Sequence, residues 1–479
     1  MASTASVRPS ATTPRRDSRP PAPAALGMVG ALIFVEFCSG MLQGWMQPLL
    51  TAVTHEFEIS AGQVGWVTSS YLLAAAIFVP VLAKLGDKTG HRRMLAVAIA
   101  ITIVGAVLVA TAPNYHMLIL GRVLIGALTV FLPLEFAIVR ERGGSSAGLG
   151  IGLLVGSLTL GVSVGGILSG QVMDWTGDLR TTLWIPVIFM TICLAVPIFL
   201  VKETTTRAAG RIDWPGAALL GIGLAVLLYG LSQQPKQGWS GAVTGAVVGG
   251  VIALAAWVLL ELRVANPLVD VRRLSRRLTA PLFVVAAVDG FVFFGLMTMY
   301  SIYAGLPRET LGYGLSLEPV QIGYLLAPPA IAAAVAGFVA ARLAARVGHA
   351  NALGIGMVLA AAGYASLATW HGSLAAVLGG NMVASFGIAI AMSMLPTMLL
   401  QRSDPASAGI NTGMYNMLRT SAGSLGTVVF GMILSSMVLN GSAVPSEAAF
   451  SVIWLVAAVL CLVTLAFVVM LRRTEPATD

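Results

Sequence analysis

The sequence predicts an all-α membrane protein of fourteen spanning helices. Three observations predict it: a composition poor in charge, a chain partitioned into apolar runs of spanning length, and basic residues gathered on one side of those runs. Of the 479 residues only 10% are charged and 57% are hydrophobic, where a soluble globular protein is about 25% charged. Mean hydropathy is +0.88. A helix needs about 20 predominantly apolar residues to cross hydrocarbon, and the runs leave little chain for a soluble domain.

Residues 1–25, rich in Pro, Ser and Arg, are expected to form a disordered tail. The first apolar run, 26–53, outlasts the 7–15-residue apolar stretch of a secretory signal and is expected to remain as a span. Spans follow at 63–82, 94–112, 117–139, 148–172 and 182–201, completing a first six-helix unit over 26–205. A helix pair at 215–231 and 241–260, within 213–262, is joined by the polar turn from Gln233 to Trp239. A second six-helix unit over 278–472 holds spans at 280–306, 320–340, 352–369, 374–400, 409–439 and 450–471.

The two six-helix units repeat at an offset of 258 residues. Gln63-Val64-Gly65-Trp66-Val67 matches Gln321-Ile322-Gly323-Tyr324-Leu325 at that offset, Gly90-His91 matches Gly348-His349, and Gly165 meets Gly423. Parallel repeats of this kind mark transporters, and the pair between them reads as an insertion.

Charge fixes the orientation. Of the 28 Lys and Arg residues, 23 lie in the tails and one set of loops, whereas the opposite loops hold only Arg180, Lys236 and Arg308. The positive-inside rule then puts both termini in the cytoplasm. The net charge of +8 is thereby explained without nucleic acid, which is not expected as a partner. Four lysines against many arginines, with abundant Ala and Gly, point to a GC-rich bacterial genome and so to a bacterial inner membrane. Cys38, Cys193 and Cys461 all fall inside apolar runs and read as small core residues, so neither a disulfide framework, a metal nor a cofactor is expected.

Several motifs resemble those of the major facilitator superfamily. Ala83-Lys84-Leu85-Gly86-Asp87-Lys88-Thr89-Gly90-His91-Arg92-Arg93 resembles its G-x-x-x-D-R-x-G-R-R loop, with Ala83 and His91 as departures. Gly121-Arg122-Val123-Leu124-Ile125-Gly126 resembles R-x-x-x-G, and Gly156, Gly161, Gly165 and Gly166 resemble the antiporter motif G-x-x-x-G-P-x-x-G-G, with Val162 at the proline. Asp213-Trp214-Pro215-Gly216 and Asn416-x-x-Arg419 are similar to features of the fourteen-helix drug:proton antiporters. The resemblance covers nearly all the chain after residue 25. It implies a major facilitator fold of two six-helix bundles plus two inserted helices, working as a monomer by alternating access among membrane lipids.

The resemblance also implies roles. Asp87, Gly90, His91, Arg92, Gly161, Gly165 and Gly166 would gate, and Arg122 would assist proton transfer. The usual proton-binding aspartate of the first helix appears here as Gln43, which cannot titrate. Residues themselves offer Glu36 and Asp289 instead, both expected near the midplane, where a carboxyl must be protonated, paired or wetted. Glu36, Gly40, Gln43 and Gln47 share one helix face, expected to line a central cavity. Two pairings stay open beside that reading: Glu36 with Arg122, and Asp289 with Arg419. Glu135 is expected either in proton coupling or in an inner gate with His91 or Arg92. Met41, Gln43, Trp45, Gln47, Phe293, Met297, Tyr300, Asn416 and Arg419 are the substrate-binding candidates, because Met and aromatic side chains give large contact with few directional demands. The expected activity is proton-coupled export of a small hydrophobic or amphipathic molecule. An uncoupled facilitator or a lipid or metabolite transporter would explain Gln43 and Val162. A receptor or enzyme would need a soluble domain or clustered catalytic groups, and the sequence offers neither.

Overall fold

The computed structural model describes residues 23–472 except 60, 143–146, 205–212, 265–266, 268, 270, 275–278, 403–407, 440–441 and 443. The N-terminal tail through residue 22, and Arg207, Arg211, Arg276, Arg277 and Arg473 among the other bases, lie outside the described residues. Eighteen helices follow in order. The first group is α1 Pro23–Trp45, α2 Leu50–Glu56, α3 Ala61–Thr89, α4 His91–Ala110, α5 Tyr115–Ile125, α6 Phe131–Arg142, α7 Ala147–Thr176 and α8 Leu179–Ala195. The pair α9 Trp214–Gln237 and α10 Gly241–Glu261 comes next, then the single turn α11 Val271–Leu274. The rest are α12 Ala280–Gly305, α13 Arg308–Leu311, α14 Pro319–Val347, α15 His349–Thr369, α16 Leu374–Gln401, α17 Ala408–Ser436 and α18 Glu447–Arg472. Among the described residues fourteen segments are long and apolar enough to span a membrane. Among the described residues there is no sheet, only one isolated bridge between Val438 and Pro445.

The repeat is visible in the helix boundaries. Ala61–Thr89 and Pro319–Val347 have the same length at the 258-residue offset, and α4 and α15 both start on a His after a positive-φ glycine, Gly90 at 121° and Gly348 at 82°. Only glycine takes that conformation without strain, so each is the hinge of a tight helix-to-helix turn. In the first bundle α1 packs on α7, and in the second α12 packs on α17.

Two spans differ from the expected continuous helices. The first stops at Trp45, turns through Met46–Leu49 and resumes as α2, because Pro48 has no N–H to return to the Gly44 carbonyl. The fourth tightens into a 3-10 turn at Gly126–Val130 between α5 and α6, just ahead of Pro133. Pro80, Pro186, Pro328, Pro329 and Pro396 sit inside helices that continue through them.

The bundles meet along two seams, α3 on α17 and α7 on α14. Backbone approach is closest in the half away from the termini. A Cβ added at Gly170 would lie 2.5 Å from the Pro319 oxygen, and one at Gly323 would lie 2.7 Å from the Gly166 oxygen. Ser424 Oγ donates to the Ser69 carbonyl at 2.9 Å across the other seam. Toward the termini α7 and α14 offer no such contacts: Gly156 and Gly337 have nothing within 4 Å. The inserted α9 lies over the α3–α17 seam, with Leu228 seated between Leu73 and Val428.

Candidate functional site

Three clusters of charged side chains bear on the candidate site. In the second bundle Arg419 of α17 donates from Nε to Asp289 Oδ2 of α12 at 2.8 Å, and Asp289 is fully buried. The guanidinium lies 5.1 Å from the ring centres of both Phe293 and Phe294, and Nη2 donates to Met392 Sδ at 3.2 Å. Two aromatic faces and an acid thus surround one cation, a combination that favours a desolvated guanidinium. Of the two pairings the sequence left open, this one forms.

The other does not. Glu36 of α1 turns toward Glu135 of α6, so that two carboxyl groups, 1% and 0% exposed, face each other within the first bundle. Apart from the hydrogen bond that the two carboxyls can share, Glu36 Oε2 and both Glu135 oxygens have no partner. Arg122 instead donates from Nε to the Val67 carbonyl at 2.7 Å and lies 4.7 Å over the Tyr71 ring. Glu135 is likewise not joined to His91 or Arg92. Glu135 lies on α6 past the 3-10 turn Gly126–Val130, where it faces Glu36 of α1.

The third cluster is the loop between α3 and α4. His91 Nε2 meets Asp87 Oδ1 at 3.0 Å, and its Nδ1 meets Thr204 Oγ1 at 3.0 Å. Glu203 accepts the backbone N–H of Arg92 at 3.1 Å and of Arg93 at 3.2 Å, placing a carboxylate at the positive end of α4. A Cβ at Gly90 would collide with that carboxylate at 2.4 Å, so the glycine both makes the turn and leaves the slot. Arg92 reaches the Pro197 and Ile198 carbonyls, at 2.6 and 2.7 Å, in the widened π turn Val196–Leu200. Sequence reasoning missed Glu203 and Thr204. The signal in the sequence is the polar run Lys202-Glu203-Thr204 directly after an apolar span.

Other candidates are placed as follows. Gly40 does not open onto a cavity with Glu36, Gln43 and Gln47, because a Cβ there would lie 2.2 Å from the Leu158 oxygen: the face is used for packing on α7. Gly161 and Gly165 complete that contact against the backbone of Phe37 and Met41, while Gly166 faces the second bundle through Leu326. Gln43 is half-buried, and Gln47 is buried in the turn after α1 with Oε1 unpartnered. Trp45 turns into the first bundle, donating from Nε1 to the Thr182 carbonyl at 3.1 Å with its ring against Phe189. Tyr300 turns into the second, its ring 6.5 Å from that of Trp454. Neither therefore joins Phe293, because helix period carries each to the inner side of its own bundle. Met297 and Asn416 are half-buried. Tyr71, unremarked in the sequence, lies under Arg122, within electrostatic reach of Arg419 and packed with Phe294, and so links the bundles.

Two repeated bundles of spanning helices, with ionisable groups buried inside them, have the architecture of a membrane transporter. Residues 32–427 match the Major Facilitator Superfamily, and the chain belongs to it. Its fold and family are those of multi-pass transporters, not of enzymes. Among curated proteins it is 27% identical over 466 residues to the uncharacterized MFS-type transporter YcnB of Bacillus subtilis, covering 91% of this chain and 93% of that one. It is 25% identical over 398 residues to the multidrug resistance protein Stp of Mycobacterium tuberculosis, covering 81% and 72%. A tetracenomycin C resistance and export protein of Streptomyces glaucescens is 25% identical over 403 residues, with the same coverage. Among solved structures, the fold is shared with an auto-inhibited POT family peptide transporter at TM-score 0.68 and 16% identity, over 94% of this chain and 98% of that one. The nucleoside transporter NupG gives TM-score 0.62 and 15% identity over 94% and 99%.

Proposed function

We propose that this protein is a proton-coupled exporter of hydrophobic or amphipathic small molecules, with both termini cytoplasmic and the terminal face as the open side of this state. The observation that carries the coupling is the Glu36–Glu135 pair: two buried carboxyls side by side, with no base or other donor to share their oxygens. Two such groups cannot both ionise in a low-dielectric interior, so the pair holds at least one proton unless water or a cation reaches it. Opening to one side or the other would load and release that proton, with each charge crossing worth about 2.3 kcal/mol per 100 mV. Asp289 with Arg419 is the second coupling element, and Arg122 supplies fixed positive charge within the first bundle. Phe293, Met297, Gln43 and Asn416, all half-buried, are the substrate contacts in this reading, and Asp87 with its loop is the gate. Relatives named for multidrug resistance and export support the substrate class.

A second reading, an uncoupled facilitator, is favoured by Gln43 where a titratable group is usual. Flux in proteoliposomes across a panel of amphipathic compounds, with and without an imposed pH gradient, separates the two. Coupled export requires gradient-driven flux in the wild type that Glu36→Gln and Glu135→Gln each reduce at least tenfold while downhill exchange survives, and that Asp87→Asn depresses in both modes. Gradient-independent flux in the wild type would establish the facilitator.

A further inference from the structure

Arg122 is a buried cation that no acid neutralises. It is 3% exposed. It stands seven residues past the start of α5, about 10 Å along the helix at 1.5 Å per residue. Among the described residues its one hydrogen bond is from Nε to the Val67 carbonyl, and Tyr71 is the only titratable group within electrostatic reach. Arg419, by contrast, has Asp289 in direct contact. Arg122 also borders a small cavity in the half of the first bundle away from the termini, lined by residues of α1 and its following turn, α4, α5 and α8. The other walls include Leu42, Trp45, Met46, Ile125, Leu183 and Pro186, and none is acidic.

A guanidinium withdrawn from water with its Nη groups uncommitted is costly unless a negative charge comes to it. The walls are apolar and close, which excludes a large or strongly hydrated anion and suits a small, weakly hydrated one. The indole of Trp45 is fixed by its bond to Thr182, so the cavity is held open by a rigid ring. We propose that the cavity beside Arg122 binds a small monovalent anion of the halide class, chloride foremost, as the counter-ion of this arginine. The site is independent of the identity of the transported compound. It makes Arg122 and Trp45 parts of an anion site, with Tyr71 bracing the guanidinium from the other side.

The test uses the full-length protein in neutral detergent. Thermal unfolding is followed in sodium chloride, sodium bromide and sodium gluconate at one ionic strength, gluconate being too large for the cavity. The expected result is a midpoint that rises saturably with chloride or bromide and not with gluconate. Arg122→Gln should lose that rise and Arg122→Lys should keep part of it. Equal midpoints in chloride and gluconate, or a rise that survives in Arg122→Gln, would overturn the site. Should Arg122→Gln fail to fold, tryptophan fluorescence decides. Bromide should quench a saturable fraction of the wild-type signal that is missing in Trp45→Phe, whereas purely collisional quenching, the same in both proteins, would also overturn it.

Discussion

In both bundles glycine presses the repeat-related helices together, α1 on α7 through Gly161 and Gly165 and α12 on α17 through Gly290 and Gly426, but only the second adds a buried ion pair across that contact. At the 258-residue offset Gly161 corresponds to Arg419 and Ala31 to Asp289. Likewise the acids Glu36 and Glu135 of the first bundle correspond to Phe294 and Ser393, and Arg122 to Gly380. The backbone repeats while no buried charge does. Glycine contact costs no desolvation and holds helices by close backbone approach. An ion pair is tolerated only while both partners are present. The second bundle is therefore internally neutral at its core, and the first carries unpaired acids and an unpaired base that must meet protons or ions from outside.

The sharpest way to break this contrast is to orphan one partner of the pair. Asp289→Asn should cost roughly 3–5 kcal/mol by leaving Arg419 buried without its acid, and adding Arg419→Gln should recover much of the loss. Thermal unfolding of the purified single and double variants measures both. A double variant no more stable than Asp289→Asn would mean that the two residues do not act as a unit.

A smaller effect is expected where glycine does the joining. A Cβ at Gly165 would lie 2.2 Å from the Met41 oxygen, so Gly165→Leu should cost about 1–3 kcal/mol by overpacking. Gly156→Leu, with nothing within 4 Å, should be near neutral in the same unfolding assay. Equal losses at both positions would show that α1 and α7 are held by something other than backbone proximity.

The smallest effect belongs to a helix end outside the membrane. Asp178 caps α8 by accepting from Thr181 Oγ1 at 2.6 Å and from the Thr181 N–H at 2.8 Å, bonds that hold its carboxyl below the usual carboxylate range. A depressed carboxyl stabilises the fold above its unfolded value and loses that contribution as pH falls through the folded one. Asp178→Ala should thus lower the unfolding midpoint slightly at neutral pH, and the gap from wild type should close in acid. A gap that widens with acidification would contradict the sign.

The fold was legible because it rests on local and additive signals. Span count follows from run length, and the repeat follows from one offset that Gln63-Val64-Gly65 and Gly90-His91 both obey. The Asp289–Arg419 pair was half legible, since two opposite charges at similar depth in one bundle have few other partners. What the sequence left open was decided by helix rotation and by two breaks. Pro48 ends α1 before Gln47 can continue its stripe, and Glu135 faces Glu36 past the 3-10 turn ahead of Pro133. A change of about 100° per residue in azimuth separates a cavity wall from a bundle core, which is why Trp45 and Tyr300 could be assigned to a helix but not to a side of it. Composition and period determined by themselves that this chain spans a membrane fourteen times in two repeats. Only the packed structure decided which buried charges would meet, because contact between helices far apart in sequence depends on rotation and crossing that no single run of residues encodes.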